Sequence, residues 1–421
     1  MQGFQLFRLA SQLLIGVIFA RWVFSRQEIG EFETLMLIGT SLSFFWVNSL
    51  LGGLLPTYPK INPDDQKKLL GQSFLLLTSC SVLICIILYF SRAVIFRSYG
   101  SEEHLTLFFI FSSYLVFTNS GWLIEYALLL RGKFKLLWLD AILFFLAQTF
   151  AAVFLPLNGG GVEGAWIGLA WFGLFRFVWA AFLVIPSFSF SINIFSTLMK
   201  AALPLAGTAL IAGSIEYLNN WLVNIHLGKD QFAIYRYGAR ELPLSLVLIT
   251  ALGSAMIPAL TENRSAGLKQ LKESTTRLMH FLFPMSIVLM LFSKWIFGFA
   301  FGSAFIESAS VFSIFLLLVI PRVLLPQAIL QAAGFQKWLP LISALELIGG
   351  ILLALWLIPL LGLQGGAIAV LSAFLLEKIV LISVVDVKTG IHLTSYLNLK
   401  FFGLYVALLF GAYYVTLLWL T

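Results

Sequence analysis

The segment Gly132-Lys133-Phe134-Lys135 recurs as Gly334-Phe335-Gln336-Lys337, with its glycine and its last lysine each displaced by 202 positions. Self-similarity at a fixed period is typical of a structural unit that is present more than once. The sequence therefore predicts one unit in two copies, with a period of 202 residues. The same step relates Pro56 to Pro258, Lys67 to Lys269, Gly100-Ser101 to Gly302-Ser303, Gly164-Ala165 to Gly366-Ala367 and Arg176 to Lys378.

Composition indicates an integral membrane protein, because 60% of the 421 residues are hydrophobic and only 11% are charged. A helix that crosses a bilayer needs about 20 mostly apolar residues. Thirteen stretches meet that requirement: 4–24, 32–58, 70–91, 104–130, 136–157, 164–186, 198–227, 232–260, 277–299, 307–332, 338–360, 365–386 and 401–420. The predicted fold class is an all-α polytopic membrane protein.

The repeat divides these spans into six per copy, with one left over. An even number of spans returns the chain to its starting side, so the two copies share one orientation and form two parallel six-helix bundles. The predicted domains are residues 1–195, residues 196–390 and an additional transmembrane helix within residues 391–421. Internal duplication of this kind is typical of secondary transporters.

Lys and Arg residues are unevenly distributed over the predicted loops. Fourteen lie on the side of the N-terminus and about six on the other, which predicts a cytoplasmic N-terminus and, with thirteen spans, an external C-terminus. The net charge of +7 is thus interpreted as membrane topology, and no nucleic-acid partner is predicted. The charged connections at residues 59–70 and 261–276 are expected to form short amphipathic helices, and the glycines of 158–161 and 362–366 tight turns.

Charged and amide side chains within spans are the best guides to a site, since they are costly in lipid. The seventh span carries Glu216, Asn219, Asn220 and Asn224, and the eighth carries Arg236, Arg240 and Glu241. Spacings of three and four place such residues on one helical stripe. We therefore expect two neighbouring helices to present polar walls to one volume.

Arg322 is the strongest single candidate. It follows Pro321, precedes Pro326 and falls near the centre of the tenth span. A guanidinium is permanently charged and its planar fork suits a phosphate or pyrophosphate. The first span adds Arg8 and Gln12.

Structural interpretations of these charges remain open. Arg240 with Glu241, or Arg322 with Glu216, would form ion pairs within a bundle. Glu125, Asp140 and Lys135 lie close to a span end, where side chains snorkel to the interface. Arg176 and Lys378 share one repeat position, which favours a structural or lipid-headgroup role.

Enzymatic function is not predicted. His104, His226, His280 and His392 are scattered, and no HExxH motif, paired cysteine ligands or phosphate-binding loop occurs. No metal or cofactor is predicted either.

Several features of residues 203–260 carry a family resemblance: Pro204, Asn219-Asn220, Gly228-Lys229-Asp230, the run FAIYRYGA at 232–239 and Ile257-Pro258-Ala259-Leu260. The first copy has related segments in Glu28-Ile29-Gly30-Glu31-Phe32 and Leu55-Pro56. Together they resemble the polysaccharide flippases of the multidrug, oligosaccharidyl-lipid and polysaccharide exporter (MOP) superfamily, over roughly residues 1–386.

The resemblance implies a multi-pass protein of the bacterial inner (cytoplasmic) membrane that serves polysaccharide biosynthesis of the lipopolysaccharide or O-antigen type. It would flip an undecaprenyl-pyrophosphate-linked oligosaccharide to the outer leaflet by alternating access, coupled to H⁺ or Na⁺. Its partners would be that lipid-linked oligosaccharide, membrane lipids and polysaccharide-assembly proteins. Many relatives carry an Asp where Trp221 stands here, so Glu216 is the ion-coupling candidate of this helix.

The hypothesis assigns a role to each candidate. Arginines 8, 236, 240 and 322 neutralise the pyrophosphate, Gln12, Asn219, Asn220 and Asn224 bind sugar hydroxyls, and Glu216 and Glu241 are ion-coupling or counter-charge residues. A cation-coupled multidrug exporter of the same superfamily is the first alternative, and it needs an acidic or aromatic cavity. A membrane glycan polymerase or glycosyltransferase is the second, and it needs a large catalytic outer loop, whereas the outer loops predicted here are short.

Overall fold

The computed structural model describes residues 2–95, 104–184, 190–241 and 243–420. Within these ranges the regular structure is helical throughout and contains no β-strand. The chain divides into two compact units, Met1–Leu210 (unit 1) and Ile211–Thr421 (unit 2). The predicted all-α fold class is confirmed.

Eleven stretches of the described residues are long and apolar enough to cross a membrane. Two of them, Phe134–Val184 and Gln336–Thr389, run for 51 and 54 residues, about twice the length that one crossing needs. Each is interrupted by a glycine with positive φ, Gly159 at 85° and Gly362 at 60°, a conformation that residues with a Cβ rarely adopt. Divided at these turns, the eleven stretches become thirteen, which is the predicted number. The seventh and eighth, Ile192–Ile211 and Ser245–Glu262, differ from the predicted 198–227 and 232–260. The predicted glycine turns are confirmed.

Unit 1 is built from seven helices and the first part of an eighth. They are α1 (Gln2–Ile18), α2 (Arg26–Thr57), α3 (Pro63–Ile95), α4 (His104–Gly121), α5 (Leu123–Leu130), α6 (Phe134–Leu155), α7 (Gly161–Val184) and the start of α8 (Ile192–Gly238). Helix α7 packs against α4 and α6, α6 packs against α1, and α3 packs against α4.

Small residues allow α6 and α7 to approach closely. A Cβ added at Gly168 of α7 would collide with the carbonyl group of Ala151 in α6. Backbone contact of this kind is how helices associate in lipid, where no hydrophobic force drives them together. Beside this contact, the fully buried indole of Trp166 stacks on Phe32 with ring centroids 4.8 Å apart.

Unit 2 contains the rest of α8, which is broken at Gly228, where φ is 80°. It continues with α9 (Pro243–Glu262), α10 (Arg264–Leu291), α11 (Ser293–Ala300), α12 (Ser308–Leu316), α13 (Val319–Val323), α14 (Pro326–Ala332), α15 (Leu339–Thr389), α16 (Leu393–Tyr396) and α17 (Leu399–Leu420). Helix α10 packs against α9 and α17, and α15 packs against α12 and α14.

The predicted tenth span lies in the interior of unit 2. An 18-residue window of its stretch Ser308–Ala332 is 83% buried, against 50% or less for the corresponding windows of the other ten stretches. It is divided into α12, α13 and α14, and Leu324 between the last two has the extended ψ of 123°. Pro326 opens α14, where its missing N–H is not needed. The interruption places irregular backbone inside the protein, away from lipid.

The charged connections differ from the expectation. Residues 63–70 and 264–276 are the first turns of α3 and α10, which continue into their spans, so the prediction of separate short helices is wrong. Lys67–Asp64 and Lys68–Asp65 pairs at 3.7 and 3.0 Å support the start of α3. Helix α10 is capped by Asn263, whose side chain accepts a hydrogen bond from the N–H of Ala266.

Helix α17, the predicted thirteenth span, packs against α10 and α12 within unit 2. Thr416 donates to the carbonyl oxygen of Met290 at 3.3 Å, and Tyr405 shares a 2.7 Å hydrogen bond with His280. The division into residues 1–195, 196–390 and 391–421 stays a prediction.

Candidate functional site

The Arg322 guanidinium is fixed on two sides. Its Nε and Nη2 donate to the two carboxylate oxygens of Glu241 at 3.1 and 2.6 Å, in the bidentate geometry that guanidinium and carboxylate favour. One face of the guanidinium lies 4.1 Å from the ring centroid of Phe374. Glu216 is a second acid, with an oxygen 3.9 Å from Nη2. The structure therefore brings together three predicted site residues, Glu216, Glu241 and Arg322.

The space immediately beside this ion pair is small. A cavity of about 10 Å³ lies next to Arg322 and Glu241, and Ser245, Ser286 and Phe315 also line it. That is about the volume of one probe sphere, the least that holds a water molecule. In this conformation Glu241 thus occupies the place on Arg322 that a bound anion would need.

The amide residues of α8 make local hydrogen bonds. Asn219 is 2% exposed, and its Nδ2 donates to the Tyr235 hydroxyl at 2.6 Å, joining the two parts of α8 across the Gly228 break. The Nδ2 of Asn220 donates to the carbonyl oxygen of Glu216, one helical turn earlier, at 2.7 Å. Neither Oδ1 accepts a hydrogen bond within the described residues, so each amide keeps acceptor capacity. Asn224 is half-buried on the same helix.

Two predicted cations lie at the C-terminal end of α8 or just beyond it. Arg236 and Arg240 are both half-buried. Arg236 interacts electrostatically with Glu216. The guanidinium of Arg240 lies 5.5 Å from the ring centroid of Tyr237. Glu241, which the sequence places beside Arg240, pairs with Arg322.

The two candidates of the first span lie in unit 1. Arg8 stands over the ring of Trp122 at 4.7 Å and interacts electrostatically with Glu125. Gln12, on the same helix, is exposed. Arg8 and Arg322 thus each lie over an aromatic ring and interact with an acid.

Reasoning from the sequence overlooked two acids in unit 2, Glu346 and Glu377. Glu377 pairs with Lys378 at 2.8 Å, and the Lys378 ammonium also donates to Oε1 of Gln327 at 3.4 Å. Glu346 is 4% exposed and interacts electrostatically with Glu377, Lys378 and Arg322. The surroundings of Arg322 are therefore richer in acids than the sequence interpretation expected. The repeat gave no signal for the two acids, but it did relate their neighbours Lys378 and Gln327 to Arg176 and Glu125.

Arg176 forms a buried ion-pair network in unit 1. Its guanidinium contacts Glu125 at 2.5 Å and Asp140 at 3.0 Å, and all three side chains are at most 5% exposed. It also donates to the carbonyl oxygen of Gly121, where α4 ends. The expectation that Glu125 and Asp140 snorkel to the interface is wrong, because both turn inward to neutralise Arg176. A structural role for Arg176 is favoured over a lipid-headgroup role.

A larger cavity, of about 500 Å³, lies elsewhere in unit 2. Its polar lining includes Gln231, Glu307, Ser310, Gln364 and Tyr413, without any Lys or Arg. As for metals, no group of three His, Cys, Asp or Glu side chains in the described part of the chain is placed to hold an ion.

The chain belongs to a family of membrane proteins of polysaccharide synthesis: the family model described as "Polysaccharide biosynthesis protein" matches residues 60–310. No curated protein matches the chain. The predicted family resemblance is confirmed.

Solved structures share the fold over nearly the whole chain. One is the lipid II flippase MurJ in an inward closed conformation, with a TM-score of 0.72 and 17% identity, covering 98% of this chain and 97% of that one. Another is an inward-facing multidrug resistance MATE family transporter of the MOP superfamily, with a TM-score of 0.61 and 14% identity, covering 93% and 95%. A third is a MOP superfamily transporter from Pyrococcus furiosus described as having a binding pocket of reverse polarity, with a TM-score of 0.58, 16% identity and coverage of 93% and 94%.

Proposed function

We propose that the protein is a flippase that moves an undecaprenyl-pyrophosphate-linked oligosaccharide across the bacterial cytoplasmic membrane. The observation that carries the proposal is the Arg322 guanidinium, held by Glu241 and Phe374 in the interrupted, buried tenth span of a polysaccharide-biosynthesis family member. The fold shared with a lipid II flippase supports a lipid-linked substrate. Transport rather than an enzymatic reaction is the proposed activity.

Binding would proceed by exchange of partners on Arg322. A pyrophosphate presents oxygens that suit the same guanidinium fork that Glu241 now fills. Arg236 and Arg240, with Arg8 from unit 1, would add positive charge, and Gln12, Asn219, Asn220 and Asn224 would bind sugar hydroxyls. When Glu241 returns to Arg322, the anion is displaced, so one ion pair serves both binding and release. A ligand shifts a conformational equilibrium only through such differences between states.

Energy for the cycle would come from an ion gradient, with H⁺ or Na⁺ as coupling ion. Glu216 is 55% exposed and lies next to Arg322, so it can gain or lose a cation without breaking the Glu241 pair. The N-terminus would lie in the cytoplasm, as the loop charges indicate, and polysaccharide-assembly proteins would supply and receive the glycan.

The test is movement of a fluorescent undecaprenyl-pyrophosphate oligosaccharide between leaflets of proteoliposomes that contain the purified protein. Arg322→Ala should abolish movement, and Arg322→Lys should retain a small part of it, because Lys keeps the charge without the bidentate fork. We call Arg322, Glu216, Glu241 and Phe374 the Arg322 cluster. Arg277→Ala, which removes an arginine of the same unit outside this cluster, is the matched control and should move lipid normally. Movement by Arg322→Ala at the normal rate would remove Arg322 from the mechanism.

Export of organic cations is a second candidate function. The four acids Glu216, Glu241, Glu346 and Glu377 outnumber the three cations that interact with them, Arg236, Arg322 and Lys378, which suits a cationic substrate. Efflux of ethidium from loaded proteoliposomes, in the absence of any lipid-linked glycan movement, would favour this function over flipping.

A further inference from the structure

A second cavity of unit 2, of about 330 Å³, has a different chemistry from the Arg322 cluster. Its lining includes Leu260, Arg264, Ile329, Phe335, Lys388 and Thr389. We call it the basic cavity. Arg264 and Lys388 are its two charged lining residues, and no Asp or Glu lines it. Its walls are otherwise apolar or uncharged.

Both cations are available to a ligand. Arg264 is exposed, and its Nη2 donates to the carbonyl oxygen of Thr389, which fixes the guanidinium at the cavity wall. Lys388 is exposed and stands over the ring of Trp338 at 5.2 Å. Neither side chain forms an ion pair within the described residues. Two positioned, uncompensated cations beside a concave surface are suited to an anion.

The depth of the basic cavity is set by the ends of the helices that surround it. Most of its lining comes from the last residues of the candidate spans Ser245–Glu262, Ser308–Ala332 and Gln336–Thr389 and the first residue of Arg264–Leu291, and the other lining residues lie within three positions of a span end. Apolar stretches of this length end where the hydrocarbon region gives way to headgroups. The cations therefore stand at headgroup level, with Leu260 and Ile329 towards the apolar side.

We propose that the basic cavity binds a phosphate group, with Arg264 and Lys388 as its ligands. The chemistry is that of an anionic lipid headgroup or of a free phosphate. Basic pockets between transmembrane helices, at the level of the headgroups, are a known mode of anionic lipid recognition. The site is separate from the Arg322 cluster and does not depend on the proposed transport function.

The 500 Å³ cavity at the other end of unit 2 provides an internal comparison. It is lined by the turn at Gly362, which lies at the far end of both parts of α15 from Lys388 and Phe335. It contains the carboxylate of Glu307 and no Lys or Arg, so it would repel a phosphate. Of the two cavities, only the basic cavity has the charge that phosphate requires.

The experiment measures thermal unfolding of the purified full chain in detergent against increasing dioleoylphosphatidylglycerol, with dioleoylglycerol as the lipid without phosphate and sodium phosphate as the free anion. The test variants are Lys388→Gln and Arg264→Gln/Lys388→Gln. The control is Lys269→Gln/Lys400→Gln, which removes two exposed lysines from the first turns of α10 and α17, outside the cavity.

The expected result is stabilisation by phosphatidylglycerol but not by dioleoylglycerol. The lipid concentration for half the effect should rise about five-fold for each cavity cation removed and stay unchanged in the control. Stabilisation by sodium phosphate that the cavity variants lose would support the site and identify the free anion as its source. Equal responses of cavity and control variants would overturn the proposal. The exposed single variant Lys388→Gln keeps the test valid if the double variant fails to fold.

Discussion

Lys378 donates a hydrogen bond to Gln327 in unit 2, and each of these residues stands 202 positions after a member of the Arg176–Glu125 ion pair of unit 1. In both units a buried cation of one helix thus binds a polar side chain of another. The balance of charge differs, since Arg176 faces two acids, Glu125 and Asp140, whereas Lys378 has the neutral Gln327 and its neighbour Glu377. The contact between the two helices thus occurs at the same repeat position in both units, but the charges of the side chains around it differ.

Removal of Arg176 should strongly destabilise the protein. Arg176→Ala leaves Glu125 and Asp140 buried without their cation, which typically costs about 3–5 kcal/mol. Thermal unfolding in detergent measures the effect. Lys133→Ala, at an exposed residue of the same unit, should unfold near the temperature of the unmodified protein. Equal stability of the two variants would mean that the acids are neutralised without Arg176.

Replacement of Glu241 by glutamine should change ligand affinity more than folding. A neutral carboxamide competes less well for the Arg322 guanidinium than a carboxylate does. We expect Glu241→Gln to bind inorganic pyrophosphate about tenfold more tightly, equivalent to about 1.4 kcal/mol, and to flip lipid more slowly because release is impaired. Titration calorimetry and the leaflet assay measure the two quantities. Glu307→Gln, which removes a carboxylate outside the Arg322 cluster, is the control. An unchanged pyrophosphate affinity of Glu241→Gln would show that Glu241 does not compete with the anion.

Two glycines that both lie inside helices should respond differently to alanine. Gly168→Ala forces apart α6 and α7 because the new methyl group meets the Ala151 carbonyl, and we expect a loss of about 1–3 kcal/mol. Gly207→Ala adds a methyl group where no atom lies within 4 Å, and alanine is the better helix former, so stability should be unchanged or raised. Unfolding temperatures of the two variants test the contrast, and a matching loss in both would argue against the close helix contact.

Tyr235→Phe should separate a structural role of Asn219 from its proposed role in sugar binding. The substitution removes the 2.6 Å hydrogen bond and leaves the buried Nδ2 without a partner, at a cost of about 1–3 kcal/mol. If Asn219 mainly holds the two parts of α8 together across Gly228, the variant should be less stable, while its folded fraction should still flip lipid. Loss of flipping at unchanged stability would instead favour the sugar-binding role.

Much of the fold was accessible from the sequence because the bilayer imposes a simple rule. Apolar stretches of about 20 residues separated by glycines located the helices and the turns at Gly159 and Gly362. The interruption of the tenth span was signalled by Pro321 and Pro326 but could not be placed, since the extended residue is Leu324. The first residues of α3 and α10 were not predicted from the sequence, because the charged first turns of these helices resemble loop sequence.

The sequence allowed several residues of the candidate site to be predicted, but it did not show which of them form ion pairs. Their charge within apolar spans identified Glu216, Glu241 and Arg322 as site candidates. The sequence could not show that Arg322 lies 2.6 Å from Glu241 and 3.9 Å from Glu216, because these distances depend on how α13 packs against α8 and the residues that follow it. Glu346 was missed for a related reason, since a single acid in a leucine-rich helix has no periodic partner.

Helix α17 also bears on how the chain is made. Its Leu409 and Ala412, and Tyr396 and Leu397 just before it, belong to the hydrophobic core of unit 2 together with residues as early as Ile249. Because synthesis runs from the N-terminus, every helix that α17 packs against emerges from the ribosome before α17 does. Until α17 is inserted, the surface of α10 and α12 that it covers stays without its helix partner. A chain interrupted before residue 399 should keep this surface exposed and be degraded by membrane proteases.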